Sequence, residues 1–211
     1  MKCLLCGQRK GKRFCPAKNA LICAFCCGTK RVVEIDCPSN CVYLREGQGH
    51  EARQKYNRQF QALDPGQQRL LLQVGEQFPD VLVSLEAVLA AAARSRRYLS
   101  DQDAKEAITV LLQEYETENK GVLYERKAGS IDAQTIVDAL REGIEARRSN
   151  FEPGVRHLDV AGILGCLTVI RFDIDYHLVQ QTSHGYLEFL MRSYPDAGRD
   201  KPQSQSRLIL P

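Results

Sequence analysis

This sequence contains no tryptophan, and aromatic residues make up only 7% of it. The scarcity of aromatic side chains predicts a core built mainly from aliphatic residues. The longest apolar stretch near the C-terminal end, VAGILGCLTVI, is shorter than the roughly 20 residues that cross a bilayer. The start, MKCLLCGQRK, lacks the apolar run of a signal peptide. We therefore expect a cytoplasmic protein whose cysteines stay reduced.

The signatures of several common enzyme classes are also missing. The chain has no P-loop, no G-x-G-x-x-G dinucleotide motif and no G-x-S-x-G nucleophile elbow. Its formal net charge of +3 is too small to mark the whole chain as a nucleic-acid binder. With 26% charged and 44% hydrophobic residues, its composition is that of a folded globular protein. We expect such a protein to lack enzymatic activity.

The nine cysteines are concentrated at one end, where eight of them lie within the first 41 residues. Two C-x2-C pairs stand out, and Gly7 follows the first of them as in a zinc knuckle. Because structural zinc takes four tetrahedral ligands, eight cysteines predict two Zn²⁺ ions per chain. Disulfides are disfavoured in a reducing compartment, and one iron–sulfur cluster would leave four cysteines unexplained. The predicted metal ligands are Cys3, Cys6, Cys15, Cys23, Cys26, Cys27, Cys37 and Cys41.

The adjacent cysteines Cys26 and Cys27 are predicted to serve different metals, because neighbouring side chains of an extended segment point to opposite sides. The preferred pairing places one zinc on Cys3, Cys6, Cys23 and Cys26, and the other on Cys15, Cys27, Cys37 and Cys41. An alternative pairing combines Cys15 and Cys23 with Cys37 and Cys41. His50, beyond the last of these cysteines, could replace one thiolate.

The run CLLCGQRKGKRFCPAKNALICAFCCGTKRVVEIDCPSNCVYL resembles a motif in uncharacterised bacterial zinc-finger proteins, in which a similar finger precedes a helical region. Its RFCPA and LICAFC pieces resemble the B-box, HIT and MYND class of two-zinc fingers, in which the chain crosses between the metals. Cys37 and Cys41 stand where the B-box pattern has histidines. The resemblance covers about a fifth of the chain. It implies protein–protein interaction more often than DNA reading.

The cysteine-rich end is also basic. Residues 1–50 carry nine basic and three acidic side chains, a balance of +6, which eight thiolates and two Zn²⁺ ions would reduce to +2. These cations either offset the thiolate charge or contact phosphate. Binding of RNA or DNA is therefore the alternative to a role as a protein-binding adaptor. The candidate phosphate contacts are Arg9, Lys10, Lys12, Arg13, Lys30 and Arg31.

The rest of the chain has the periodicity of amphipathic helices. We predict a mainly α protein, with a two-zinc finger over residues 1–46, an all-helical bundle over residues 50–194 and a disordered tail over residues 195–211. The first predicted helix covers residues 50–63, and later helices are expected to start at Asp64-Pro65, Pro79, Ser100 and Asp159. GVLYERKAGS is expected to be a linker or a short extended piece.

Three places in the helical part have a possible chemical role. Asp173 and His177 lie four residues apart on one helix face and, with Asp175, could bind a metal or form an acid/base pair. A carboxylate beside a histidine is also common on helix surfaces. Cys166, surrounded by Leu and Ile, is predicted to behave as a small buried hydrophobe.

The third place is a group of cations at the end of a predicted helix: Arg94, Arg96 and Arg97. They either complement the helix dipole or bind an anion. Taken together, the sequence favours a zinc-binding adaptor or regulatory protein without enzymatic activity. Its expected partner is another protein or a second copy of itself.

Overall fold

The computed structural model describes residues 1–149, 157–179 and 185–198. These residues form eight helices and one two-stranded antiparallel sheet, so the prediction of a mainly α protein is confirmed. The contacts divide the chain into an N-terminal unit, Met1–Leu63, and a helical unit, Asp64–Pro211. No helix among the described residues combines the length and the apolar character needed to cross a membrane.

The N-terminal unit begins with a short hairpin in which Phe14 pairs with Leu21. Asn19, in the turn, has a φ of 47°, a left-handed conformation that asparagine tolerates better than most residues. The small core below the hairpin contains five of the clustered cysteines, together with Ile22 and Ile35, and two further cysteines pack against it. The elements of this unit are β1 (Arg13–Cys15), β2 (Ala20–Ile22), α1 (Ala24–Lys30) and α2 (Val42–Gln61).

Helix α2 begins at Val42, about eight residues before the first predicted helix. It runs through the predicted boundary at residue 46, which is why the contacts divide the chain after Leu63 instead. Leu44 is its one buried residue. A helix this polar gives little periodic signal, which explains why its first turns were not predicted.

The helical unit starts its helices where the sequence predicted. The Asp64 carboxylate accepts hydrogen bonds from the backbone of Gly66 and Gln67, at 2.8 and 3.1 Å. Ser100 and Asp103 form a capping box at the start of α5. The elements are α3 (Pro65–Gln77), α4 (Pro79–Ser95), α5 (Asp101–Glu118), α6 (Ile131–Ser149), α7 (Val160–Val179) and α8 (Gly185–Ser193).

Helix α7 lies at the centre of this unit and packs against α3, α4, α5 and α8. At Gly165 an added Cβ atom would lie 2.6 Å from a methyl carbon of Val74, so glycine allows α3 and α7 to approach closely. Cys166, the next residue, is fully buried. The surrounding core consists mainly of Leu, Ile, Val and Ala side chains, as the aromatic-poor composition predicted.

The C-terminal end is described as far as Gly198. Residues 195–198 form a turn after α8, and the carbonyl of Ala197 accepts a hydrogen bond from Arg94 at 2.7 Å. The rest of the predicted disordered tail, residues 199–211, lies outside the described residues.

Candidate metal centre

The first C-x2-C pair lies in a tight knuckle. The backbone N–H of Cys3 donates to the carbonyl of Arg9, and that of Gly7 donates to the carbonyl of Cys3, both at 2.8 Å. Gly7 has a φ of 63°, a left-handed conformation that glycine adopts without a steric penalty. This turn brings the Cys3 and Cys6 thiols to one side of the chain.

The second pair lies at the junction of β2 and α1. Cys23 is the N-cap residue of α1, and its sulfur accepts a hydrogen bond from the backbone of Cys26 at 3.4 Å. Cys26 and Cys27 are therefore helical, and the extended conformation assumed for them from the sequence is wrong. They still diverge, because successive residues of an α-helix are about 100° apart around its axis.

Backbone hydrogen bonds join the two pairs. The N–H of Cys23 donates to the sulfur of Cys3 at 3.1 Å, and the N–H of Leu4 donates to the carbonyl of Leu21 at 3.1 Å. The sulfurs of Cys6 and Cys23 lie 4.0 Å apart. Cys3, Cys6, Cys23 and Cys26 thus form one cluster, whose sulfurs all lie within 4.8 Å of one another.

These distances suit a tetrahedral metal ion. A Zn–S bond of about 2.3 Å implies sulfurs about 3.8 Å apart along each edge of the tetrahedron. Cys3, Cys23 and Cys26 are buried, and Cys6 is partly exposed. The four thiols therefore fit a closed site that holds a metal ion away from solvent.

The surroundings of the cluster act differently on its thiols. Burial opposes ionisation of Cys3, but hydrogen bonds from the backbone of Cys23 and Cys6 outweigh it and lower its pKa to about 6. Hydrogen bonds from the backbone of Arg9 and Gln8 likewise lower the pKa of Cys6. Burial and the neighbouring thiols raise the pKa of Cys26 to about 12. Full ionisation of the cluster would therefore require a compensating cation.

The remaining cysteines of the N-terminal unit are not drawn together as closely. Among the described residues, the first cluster is the one place where three or more Cys, His, Asp or Glu side chains bring their ligand atoms close enough together to share a metal ion. Cys15 and Cys27 are buried in the same small core, with Cys37 packed against it. Cys41 precedes α2 as its N-cap residue, and its thiol makes no capping hydrogen bond.

Two other ligand assignments can be compared with the geometry. The alternative pairing requires Cys23 to join Cys15, whereas Cys23 lies with the first cluster. His50 lies on α2 with its Nε2 atom 2.9 Å from the side-chain nitrogen of Gln54. It is absent from the cluster of ligands found in the described residues.

The six basic candidates for phosphate contact divide into two groups. Lys30 pairs with Glu34 at 2.5 Å, and Arg31 donates to the carbonyl of Tyr43 at 3.3 Å. The other four have no carboxylate within ion-pairing distance among the described residues: Arg9, Lys10, Lys12 and Arg13. The guanidinium of Arg9 lies 4.2 Å from the centre of the Phe25 ring, and Phe25 is more than half exposed.

The acidic candidates of α7 make structural contacts. Asp175 forms ion pairs with Lys105 at 2.7 Å and with Arg171 at 3.2 Å. The Nδ1 atom of His177 lies 2.9 Å from the backbone carbonyl oxygen of Asp173. Neither Asp175 nor His177 belongs to the cysteine cluster, which is the group of potential metal ligands found among the described residues.

One of the three arginines, Arg94, and one acid that was not predicted, Asp101, bind the two ends of α8. Arg94 donates to the carbonyls of Met191, Tyr194 and Ala197 at the C-terminal end of α8. The fully buried Asp101 accepts hydrogen bonds from backbone N–H groups at the opposite end. Arg96 forms an exposed ion pair with Asp132, and Arg97 is exposed.

A cleft of about 710 Å³ between α5 and α6 was not predicted from the sequence. Both arginines of its lining are engaged: Arg141 makes two hydrogen bonds to Glu114, and Arg148 pairs with Glu118 and Glu145. With Glu125 as well, four carboxylates face two arginines, so the lining is acidic. Alternating charges on two helices gave no signal of this cleft in the sequence.

The chain matches no protein-family model, no curated protein and no solved structure. The function must therefore be inferred from the geometry of its own residues.

Proposed function

We propose that this protein is a zinc-dependent adaptor without enzymatic activity, whose N-terminal unit binds another protein. The observation that carries the proposal is the compact cluster of Cys3, Cys6, Cys23 and Cys26. Four thiolates fill the tetrahedral coordination of Zn²⁺ and leave no position for a reacting water. Such an ion is structural: it holds together a segment too small to be stable through its own core.

The other four cysteines are proposed to bind a second zinc ion. Burial of Cys15 and Cys27 in one small core, with Cys37 against it, supports this assignment. Cys41 supports it as well, because it lines a groove together with Phe14 and Pro16, the two residues on either side of Cys15. An ion here would cross-link β1, α1 and the start of α2.

The surface that surrounds the metal cluster supports a role in protein binding. Seven large apolar side chains of the N-terminal unit are more than half exposed, and five of them are not aromatic. Aliphatic side chains bury favourably against another protein, but they do not stack on nucleic-acid bases as aromatic side chains do. The seven are Met1, Leu4, Phe14, Phe25, Val32, Val33 and Val42.

Nucleic-acid binding is the second candidate function, and the exposed stack of Arg9 on Phe25 favours it. An exposed aromatic ring beside uncompensated cations is the arrangement with which single strands are bound. Lys10 and Lys12 would add phosphate contacts. Lys30 already pairs with Glu34, so a phosphate would have to compete with that carboxylate for it.

Elemental analysis of the full chain, purified without added metal, tests the leading proposal. We expect two zinc ions in the wild type, one in Cys37→Ser, and loss of the first site in Cys6→Ser. Cys166→Ala serves as the matched control, because it removes a cysteine of the helical unit and should leave the zinc content unchanged. In all three variants the far-ultraviolet circular dichroism of the helical unit should persist, since its core is separate.

Other outcomes would contradict the proposal. Iron in place of zinc would indicate a redox-active centre instead of a structural ion. An unchanged zinc content in Cys6→Ser would refute the ligand assignment. The absorbance at 260 nm of the same sample, together with oligonucleotide binding at 50 and 200 mM salt, tests the second candidate. Phosphate contacts predict affinity that falls steeply over this range.

A further inference from the structure

A small groove lies beside β1 in the N-terminal unit. Its volume is about 250 Å³, and it is lined by Phe14, Pro16, Asn40, Cys41, Val42 and Tyr43. Pockets for whole small molecules span roughly 300–1,000 Å³ and bury most of the ligand. This groove is smaller, so it suits a single large side chain.

The lining of the groove is mostly apolar and open to solvent. Phe14 and Val42 expose 53% and 54% of their surface. A scattered exposed apolar residue is ordinary, but here two of them border the same concave surface. An apolar side chain from a partner would cover both.

One cation contacts a wall of this groove, and two more lie close to β1 in the sequence. The guanidinium of Arg13 lies 4.8 Å from the centre of the Tyr43 ring, which forms one wall of the groove. Lys12 and Lys18 are exposed, and they lie just before and just after β1 in the chain. Within the part of the chain that the structure describes, none of these three cations has a carboxylate partner. The charge beside the groove is therefore uncompensated.

We propose that this groove is the docking site for an acidic segment of a partner protein. One aromatic or large aliphatic side chain of the segment fills the groove, and neighbouring Asp or Glu residues pair with Arg13, Lys12 and Lys18. The proposal rests on the proposed function and deepens it by naming the chemistry of the partner. Cys41 connects the two, because the same residue lines the groove and is a proposed zinc ligand.

The observations favour a protein segment over a single-stranded nucleic acid at this groove. A single strand binds by stacking successive bases on successive aromatic faces. Arg13 lies over the ring of Tyr43, so this groove offers a base the Phe14 ring alone. Pro16 and Val42 supply apolar walls instead. The combination of an apolar slot with flanking cations is complementary to an apolar side chain between carboxylates.

The test is a selection from a displayed library of random 12-residue peptides on the zinc-loaded full chain. The enriched peptides should carry Asp or Glu on both sides of an aromatic or large aliphatic residue. Binding of one enriched peptide, measured by fluorescence anisotropy, should weaken about tenfold in Phe14→Ala and several-fold in Arg13→Gln. Phe189→Ala is the matched control, because Phe189 is 49% exposed, close to the 53% of Phe14, and belongs to the helical unit. It should bind the peptide within about twofold of the wild type.

Three results would overturn the docking site: enriched peptides without acidic residues, equal binding by Phe14→Ala, or tighter binding of a 20-nucleotide poly(U) strand that displaces the peptide. The zinc content of every sample separates this failure from failure of the proposed function. A wild-type chain without zinc refutes the function itself. A zinc-loaded chain that selects no acidic peptide refutes the docking site alone.

Discussion

The Oδ2 atom of Asp101 lies 2.7 Å from the backbone nitrogen of Tyr186, although 85 positions separate the two residues in the chain. The other carboxylate oxygen accepts a hydrogen bond from the backbone of Leu187 at 3.0 Å. Both donors belong to the first turn of α8, where N–H groups have no partner within the helix and the helix dipole favours a negative charge. Asp101 therefore joins the start of α5 to the start of α8.

Replacement of this carboxylate should destabilise the helical unit. In Asp101→Asn the side chain loses its charge and keeps one good acceptor for two buried N–H groups. We expect the free energy of unfolding to fall by about 1–3 kcal/mol, measured by urea unfolding with circular dichroism. Asp138→Asn is the control: its exposed ion pair with Arg141 is worth at most about 1 kcal/mol. Equal losses in the two variants would contradict the capping role of Asp101.

Cys166 should make the helical unit less stable at alkaline pH. Burial raises the pKa of its thiol from 9.0 to about 12. Above pH 9 the unfolded thiol ionises while the folded one keeps its proton, so the folded state binds more protons and stability falls as pH rises toward 12.

This effect can be isolated with Cys166→Ala. Between pH 9 and 11 the free energy of unfolding of the variant should decline less steeply than that of the wild type. The difference should approach about 1.4 kcal/mol per pH unit, the value for one proton. Only the slope is compared, because the lost packing shifts the variant by a constant amount. Parallel slopes would mean that Cys166 ionises as readily in the folded state as in the unfolded state.

The nine thiols should become reactive in two stages. In the zinc-loaded chain, we expect slow reaction with a thiol reagent, because metal binding occupies eight thiols and burial protects Cys166. A chelator should release eight reactive thiols, and a denaturant the ninth. Cys166→Ala should show the same first stage and no second one. Release of fewer than eight thiols by the chelator would show that some cysteines of the N-terminal unit are protected without metal.

Val32 should be a site at which glycine stabilises the N-terminal unit. Its φ is 63°, a left-handed conformation that costs a non-glycine residue about 1–2 kcal/mol. Val32→Gly removes this strain, although glycine costs about 0.5–1 kcal/mol of backbone entropy. We expect a higher urea concentration at the midpoint of zinc release. The neighbour Val33 is even more exposed and has no positive φ, so Val33→Gly should shift that midpoint in the opposite direction. Shifts of the same sign would contradict this interpretation.

Features set by local sequence could be predicted. Asp64, Ser100 and Asp159 each cap a helix through groups no more than three residues away, so the capping signal lies within a short window of sequence. The grouping of Cys3 and Cys6 with Cys23 and Cys26 was also predicted, because the C-x2-C spacing itself produces a turn.

Features that depend on distant residues could not be predicted. In the sequence, Asp101 is an ordinary acidic residue in the first turn of a helix. Only the packed structure shows that its carboxylate accepts hydrogen bonds from the backbone of α8. The helix α1, with seven residues, is too short to be stable alone and forms because its cysteines pack into a small core. The contacts of Arg94 could not be predicted either, because its acceptors lie about 100 positions further along the chain.

Arg94 and Asp101, on either side of the connection between α4 and α5, hold opposite ends of α8. During synthesis of the chain both side chains are made well before their partners. Until α8 emerges, Asp101 lacks the two N–H groups that compensate its buried charge, and Arg94 lacks its three carbonyl acceptors. The helical unit is therefore expected to finish folding only after α8 has left the ribosome.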